Sequence, residues 1–336
     1  MRAWFRYSCV AGALATALFA SASAQAASNK IVIMVGGIDK IIYLPPKLTE
    51  NLGYFKDEGL DVELQSQQAG VNAENQLVAG AVQAVVGYYD HSIDLQSKGK
   101  EIKSIVQFGL VPGAMMMVRA DEADAIKSFA DIKGKTIGVT GLGSSSSFLA
   151  QYLALQGGHP SGDYTMLPVG AGSTLIAAMK QKRIDVAWTT EPTTSQLLST
   201  GEAKPIVDMV TVDGARKALG GLYPAASLYV QSDWVASHKE EAAKLAHAFV
   251  RTLKFIQDHT PEEISDKMPV DYYGGNKALY VQAMKASIPM FSSDGRMPVG
   301  GPETALKVLQ AFSPNLKGKT IDLSRTYTNE FVDQAK

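Results

Sequence analysis

Cysteine is almost missing from this 336-residue chain; the only one is Cys9. A thiolate nucleophile, a cysteine-held metal and an internal disulfide are therefore not available to the body of the protein. Basic residues are not in excess either, with 32 Lys and Arg against 33 Asp and Glu. That balance argues against a nucleic-acid binder, which relies on a positive surface. The five histidines (His91, His159, His238, His247, His259) never fall at metal-ligand spacing such as His-x-x-x-His, so no metal site is expected. No Gly-x-Ser-x-Gly elbow occurs. After residue 26 no run is apolar enough to cross a membrane.

What is present begins with an address. Arg2 and Arg6 precede a short apolar stretch from Gly12, which ends in the small-residue pattern Ala24-Gln25-Ala26. A cationic head, a brief apolar core and a small-x-small site form a cleavable secretory signal over residues 1–26. Cys9 comes too early to be a lipid-attachment site, so the expected product is a free periplasmic protein rather than a lipoprotein. Arg2 and Arg6 leave with the signal, and 30 basic then face 33 acidic residues, a net charge of −3. The remaining length suffices for one or two ordinary hydrophobic cores.

Short apolar runs alternate with helical patterns. Strands are expected at 31–35, 60–64, 82–86 and 102–108, with helices at 46–55, 72–79 and 91–97 between them. The same order returns at 135–139, 145–155, 165–169, 173–180, 184–188, 192–198 and 205–210. Alternation of this kind implies parallel β-α units, an α/β fold. An offset of 102 residues aligns Gly70 with Gly172, Leu77 with Met179, Val82 with Ile184 and Gly99 with Gly201, consistent with two similar lobes. Residues 232–336 read as helical, notably 239–257, 276–287 and 302–312, and are expected to pack back onto a lobe. Met115–Val118 and Leu228–Val230 are expected to be two crossings between lobes. This gives lobe 1 as 29–118 plus 225–336 and lobe 2 as 119–224, with hinge strands near Met117–Arg119 and Gly221–Tyr229.

Several strings carry a family resemblance: Leu52-Gly53-Tyr54-Phe55-Lys56-Asp57-Glu58-Gly59-Leu60-Asp61-Val62-Glu63, Leu77-Val78-Ala79-Gly80, Ile132-Lys133-Gly134-Lys135-Thr136-Ile137-Gly138-Val139, and Ile184-Asp185-Val186-Ala187-Trp188 followed by Glu191-Pro192. With these the chain resembles periplasmic solute-binding proteins of ABC importers, in the group that handles nitrate, sulfonates, taurine and the pyrimidine precursor of thiamine. The resemblance implies a two-lobed, type II-like periplasmic-binding-protein fold that closes on a small solute. It also implies partnership with a membrane permease and its ATPase subunits, and neither cofactor nor catalysis. A monomer is expected. The Gly-Tyr-Phe string has a structural reading of its own: an aromatic pair covering a helix end, with glycines at the turns.

In open parallel sheets, ligands sit beyond the carboxyl ends of the strands. That rule selects the glycine loop Gly36-Gly37-Ile38-Asp39, with Tyr43 nearby, after the first strand, and Tyr88, Tyr89, Asp90 and His91 after the third. In the second lobe it selects Gly141–Ser147 with Gly143, Ser144, Ser145 and Ser146, then Gly170–Ser173 and Thr189–Glu191, the last leading into the Glu191-Pro192 turn. Tyr223 lies on the return crossing. The serine loop suits an anion, because glycines admit a ligand and a helix start offers N–H groups and a positive dipole end. It is not a phosphate loop, since no Gly-Lys-Ser/Thr follows it. Asp90 and Glu191 could equally cap the helices they precede, and Trp188 reads as core. None of these loops holds an arginine, so amides, hydroxyls and aromatics would do the recognising, of an organic solute with a flat or apolar body. Alternatives are a ligand sensor for a membrane receptor, a hydrolase, or an enzyme of thiamine-pyrimidine synthesis. The last resemblance implies a cysteine- and histidine-rich iron site, which a chain without mature cysteine cannot supply.

Overall fold

The computed structural model describes residues 30–335; the expected signal, its cleavage site and Cys9 lie outside the described residues. Ten strands are formed: β1 (Ile31–Val35), β2 (Val62–Ser66), β3 (Ala84–Tyr88), β4 (Ile102–Gln107), β5 (Ala114–Arg119), β6 (Thr136–Val139), β7 (Thr165–Pro168), β8 (Val186–Thr190), β9 (Ala203–Met209) and β10 (Ala226–Gln231). They make two five-stranded sheets, ordered β2-β1-β3-β10-β4 and β7-β6-β8-β5-β9. In each sheet the first three strands are parallel and the fourth runs antiparallel to both neighbours. The sheets are thus one topology used twice. The 102-residue offset maps β3 onto β8 residue for residue, and the helix Gly70–Val78 onto Ser173–Lys180 within a residue or so.

Each sheet with its helices is a lobe, and one strand is borrowed in each direction. β10 returns from the second lobe to sit between β3 and β4, while β5 crosses out to sit between β8 and β9. This corrects the expected boundary at residue 118. Met115–Val118 is no crossing; it is an interior strand paired on both sides, which is why its apolar run is unbroken. The change of sheet falls instead at 108–113 and 210–225, so Met117–Arg119 is no hinge. Leu228–Val230 likewise is interior strand rather than crossing, and of the expected hinge Gly221–Tyr229 only residues 221–225 lie in the connection. The two crossings lie side by side. Phe108 and Gly109 both donate their N–H to Ala226 O (2.8 and 2.9 Å), and Ala225 N–H returns to Gly109 O (2.9 Å).

The Gly-Tyr-Phe string is structural. Gly53, at φ +78°, ends the helix Leu44–Asn51 and starts the turn Tyr54–Asp57. Phe55 is buried edge-on against Phe249, ring centroids 5.3 Å apart, and Phe249 packs on Phe108 at 4.9 Å. Arg251 lies over the Tyr54 ring at 3.9 Å. The string therefore anchors the long helix Lys239–Asp258 to the first lobe. The later segments reach across: Gly301–Phe312 packs on Ser145–Gln156, and Lys277–Ser287 on Thr193–Ser199 of the second lobe. Helices at Val212–Leu219, Ser232–Ser237, Pro261–Asp266 and Glu330–Gln334 add to the expected set.

Truncating Phe249, which is fully buried, removes the ring shared by Phe55 and Phe108. Phe249→Ala is expected to cost about 3–5 kcal/mol in urea unfolding, whereas Phe312→Ala, at a half-buried ring, costs markedly less.

Candidate functional site

The carboxyl ends of β1, β3, β6 and β8 meet where the lobes touch, and a small cavity lies between them. Lys40, Ile42, Tyr43, Gly70 and Tyr88 wall it from the first lobe; Thr140, Ser144, Ser145, Ser146, Trp188 and Thr190 wall it from the second. Its free space is about 20 Å³, room for water and not for an organic molecule. The lobes are closed on one another.

Four consecutive serines divide into two pairs. Ser147 and Ser146 shape their own loop. Ser147 Oγ accepts from Gly143 N–H (3.0 Å) and donates to Ser144 O (2.9 Å), while Ser146 Oγ accepts from Thr140 N–H (3.0 Å). Gly143 takes φ +86° to allow this turn. Ser144 and Ser145 reach the other lobe. Ser144 Oγ accepts from Val71 N–H (3.1 Å), and Ser145 donates to Asp90 Oδ1 (2.6 Å). The 12-residue helix Ser145–Gln156 starts at this point, so its positive end faces the cavity. A backbone bond, Ile41 N–H to Glu191 O (2.9 Å), closes the seam farther along.

Behind Ser145 lies a buried polar cluster. Asp90 has no exposed surface, and its second oxygen accepts from the Tyr223 hydroxyl (2.6 Å). Burial pushes the Asp90 carboxyl up to about 7, against the pull of the Ser145 and Tyr223 bonds. His91 Nε2 is 3.3 Å from Ser145 Oγ, and its Nδ1 is 3.1 Å from the Tyr229 hydroxyl. Glu74 Oε2 is 3.2 Å from the same Nδ1, yet it has no hydrogen-bond partner among the described residues; the imidazole is aimed at Tyr229. Burial lowers His91 to about 3 and raises Glu74 to about 8.

Hydroxyl, imidazole and carboxyl in this order resemble a nucleophile, its base and an orienting acid. The electrostatics oppose that use. A histidine kept neutral to about pH 3 is a weak base near neutrality, Glu74 retains its proton there, and the Ser145 proton is directed at Asp90. The arrangement is a clasp between lobes.

Lys40 supplies the charge. It is buried, and Nζ donates to Gly36 O (2.6 Å) and Gln68 O (3.3 Å). Burial lowers its ammonium to about 8, so it remains mostly charged at neutral pH. Tyr43 and Tyr88 meet edge-on at 6.2 Å beside it. No group of three or more metal-ligating side chains occurs among the described residues, and no helix among them is long and apolar enough to cross a membrane.

The family model described as NMT1/THI5-like matches residues 47–264, a span that holds most of the seam. The chain belongs to the NMT1/THI5-like family. A solved structure from Bordetella bronchiseptica RB50 is 34% identical, covering 91% of this chain and 96% of that one, with a TM-score of 0.88. The fold recurs in the nitrate-binding protein NrtA of Synechocystis PCC 6803 (14% identity, 91% and 87% covered, TM-score 0.71). It recurs also in the alkanesulfonate-binding protein SsuA of Xanthomonas axonopodis pv. citri bound to MOPS (14%, 89% and 98%, 0.70). The desulfurization enzyme DSZB shares it at 15% identity and TM-score 0.61, covering 91% and 98%. This NMT1/THI5-like scaffold is a periplasmic-binding-protein fold.

Of the residues expected at a ligand, Tyr43, Ser144, Ser145 and Ser146 line the cavity. Asp90, His91 and Tyr223 stand directly behind Ser145 and do not line it. Tyr89 does not belong to the site. Its hydroxyl bonds Thr326 (2.5 Å) and its ring meets Tyr327 edge-on, because the chain turns into a helix there and sends Tyr88, not Tyr89, to the seam. Asp39 is exposed, in an outer groove opposite Ala171–Thr174. Glu191 caps its own helix by accepting from Ser195 N–H (3.0 Å). Gly143 acts through its turn. Trp188 is buried, as expected of core, and is also a cavity wall. Sequence reasoning selected the loop that holds Thr190 but missed Lys40, Ile42, Gly70 and Thr140 on the wall and Glu74 behind it. Lys40 directly follows the selected residues 36–39, and the search for an arginine passed over it.

The cluster sets a pH dependence. Asp90 and Glu74 have raised values in the folded chain, so the stability they contribute is present at low pH and lost as pH rises toward their folded values of about 7 and 8. His91, lowered, acts oppositely below about 6.5. Within the cluster the carboxyls alone titrate between about pH 6.5 and 8, where stability is expected to decline. His159, raised by its bonds to Ala130 O and Asp163, adds to the same decline. Glu74→Gln, which mimics the protonated side chain, flattens that decline in urea titrations run at each pH.

Proposed function

We propose that this chain is the extracytoplasmic solute-binding component of an ABC importer. It is exported by residues 1–26 and works as a monomer. It captures a small organic anion between lobes formed by 30–107 with 226–335 and by 114–209, then presents the closed form to a membrane permease whose ATPase subunits supply the energy. The observation that carries this reading is the shared cavity: two copies of one sheet topology aim their carboxyl strand ends at the same point, and each supplies half the wall. Family membership and the binding roles in the names of NrtA and SsuA support it.

The wall also favours a class of solute. Tyr43, Tyr88, Trp188 and Ile42 offer a flat apolar surface. The Lys40 ammonium and the start of the Ser145–Gln156 helix offer donors to an acidic group. An aromatic or heterocyclic acid satisfies both. At about 20 Å³, the closed cavity has to widen to admit one, so solute enters an open form and shifts the population toward closure around it. The two crossings, 108–113 and 210–225, are where the backbone would turn.

Protein purified under gentle conditions is expected to release a small acid identifiable by mass spectrometry. In thermal-shift panels, aromatic and heterocyclic acids should raise the melting temperature, and Lys40→Met should weaken their binding roughly 10- to 100-fold, the worth of one charged hydrogen bond. Stabilisation by nitrate or taurine alone would remove the apolar-body reading. No stabilisation by any small solute would remove the binding reading itself.

A further inference from the structure

The seam is clasped by protein groups alone. Ser145 of the second lobe ends on Asp90 of the first, whose side chain has no exposed surface. We infer that Asp90 and Ser145 form a solute-independent latch, and that the Asp90 carboxyl takes up a proton as the lobes close. This deepens the proposed function and rests on its two-lobed closing.

The hydrogen-bond geometry accommodates both protonation states. With Asp90 ionised, its oxygens accept from the Ser145 hydroxyl (2.6 Å), the Tyr223 hydroxyl (2.6 Å) and the His91 backbone N–H. With Asp90 protonated, its O–H turns to Ser145 Oγ. The Ser145 proton then turns to His91 Nε2 at 3.3 Å, while Nδ1 keeps its own proton and donates to Tyr229. One proton is added, none is lost, and no donor or acceptor in the row is orphaned. His91 thus has a purpose other than catalysis: it is the acceptor that lets the latch hold a neutral carboxyl.

The surroundings favour the neutral form when closed. Asp94, on the helix of Asp90 itself, disfavours a further negative charge, and Glu74 faces the cluster from the helix Gly70–Val78 as a neutral acid. Tyr43, Tyr88, Tyr223 and Tyr229 lie near enough for the Asp90 carboxyl to act on their hydroxyls, and Tyr223 bonds it directly. Lys98, the cation that acts on His91 and Glu74, is already paired with Asp94 at 2.6 Å. When the lobes part, Ser145 departs with its own helix and water replaces it. The carboxyl then returns toward the ordinary aspartate value near 4. Closed protein therefore binds about one more proton than open protein between roughly pH 4 and 7, and closing weakens as pH rises through that window. From pH 5 to pH 8 the closing constant should fall by up to about 100-fold.

The test uses solute-stripped, full-length mature protein and small-angle scattering from pH 5 to 8. Wild type is expected to be compact at pH 5 and to expand by pH 8. Asp90→Asn, a permanently neutral carboxyl analogue, should stay compact at both. Ser145→Ala, which leaves Asp90 in place, should be less compact than wild type at pH 5. A wild-type radius of gyration that does not change with pH overturns the inference. So does a pH response that survives in Asp90→Asn, or a Ser145→Ala protein as compact as wild type. The solute panel is scored separately. A pH-driven expansion abolished by Asp90→Asn, in a protein that no solute stabilises, would keep the latch and reject the importer reading. Solute binding without any pH response would do the reverse.

Discussion

A carboxyl group buried where two lobes meet constrains everything around it. Asp90 has no exposed surface, and an uncompensated charge there would cost several kcal/mol. The fold meets that demand with two hydroxyls from opposite directions, Ser145 from the facing lobe and Tyr223 from the returning crossing. Closing the cleft is therefore what completes the environment of Asp90. The same contact places the start of the Ser145–Gln156 helix and the Lys40 ammonium at one cavity, so the group that fixes the seam also fixes the site.

The duplicated topology explains how such a seam arises. Each sheet ends its parallel strands at the same edge, and exchanging one strand each way turns these edges toward each other. Corresponding positions then carry different chemistry. Tyr88 and Thr190 are equivalent under the 102-residue offset and wall the cavity from opposite sides; Asp90 and Pro192 are equivalent, and only the first can ionise. The first lobe contributes aromatic surface, an ammonium and buried acids. The second contributes hydroxyls, a helix end and Trp188. Such asymmetry suits a solute with distinct ends more than a symmetric ion. The Gly-Tyr-Phe string, the feature that best marks the family resemblance, has no part in this. Its aromatics hold the long C-terminal helix in place.

Much of the architecture was legible because burial leaves a pattern. Alternating apolar runs and helical periods located eight of the ten strands, and β5 and β10 were seen but read as crossings. An interior antiparallel strand and a chain crossing share the same short apolar signature, and only pairing on both sides distinguishes them. The strand-end rule found Ser144, Ser145, Ser146, Tyr43 and the Asp90 cluster, since carboxyl ends converge in any sheet of this kind. It erred by one residue at Tyr89, where the turn from strand into helix breaks the two-residue alternation that would have told Tyr88 from its neighbour. Glu74 was invisible for a different reason. A glutamate on an amphipathic helix reads as solvent-facing, and its burial depends on His91 and Tyr229, 17 and 155 positions away in sequence. Lys40 was within reach, one residue past the glycine loop; its significance comes from the carbonyls of Gly36 and Gln68 that hold it in the seam.

The central claim is that two lobes close over a solute at a shared seam. No cysteine follows Cys9, so in protein prepared without residues 1–26 spin labels can be placed cleanly at Lys56→Cys and Lys133→Cys, exposed positions on opposite lobes. The interlobe distance distribution, measured at pH 8 by pulsed dipolar spectroscopy, compares protein as purified with protein stripped of bound solute by denaturation and refolding. A single short distance as purified, broadening to include a longer one after stripping, is the predicted result. One distance unchanged by stripping and by every acid in the solute panel would contradict the account.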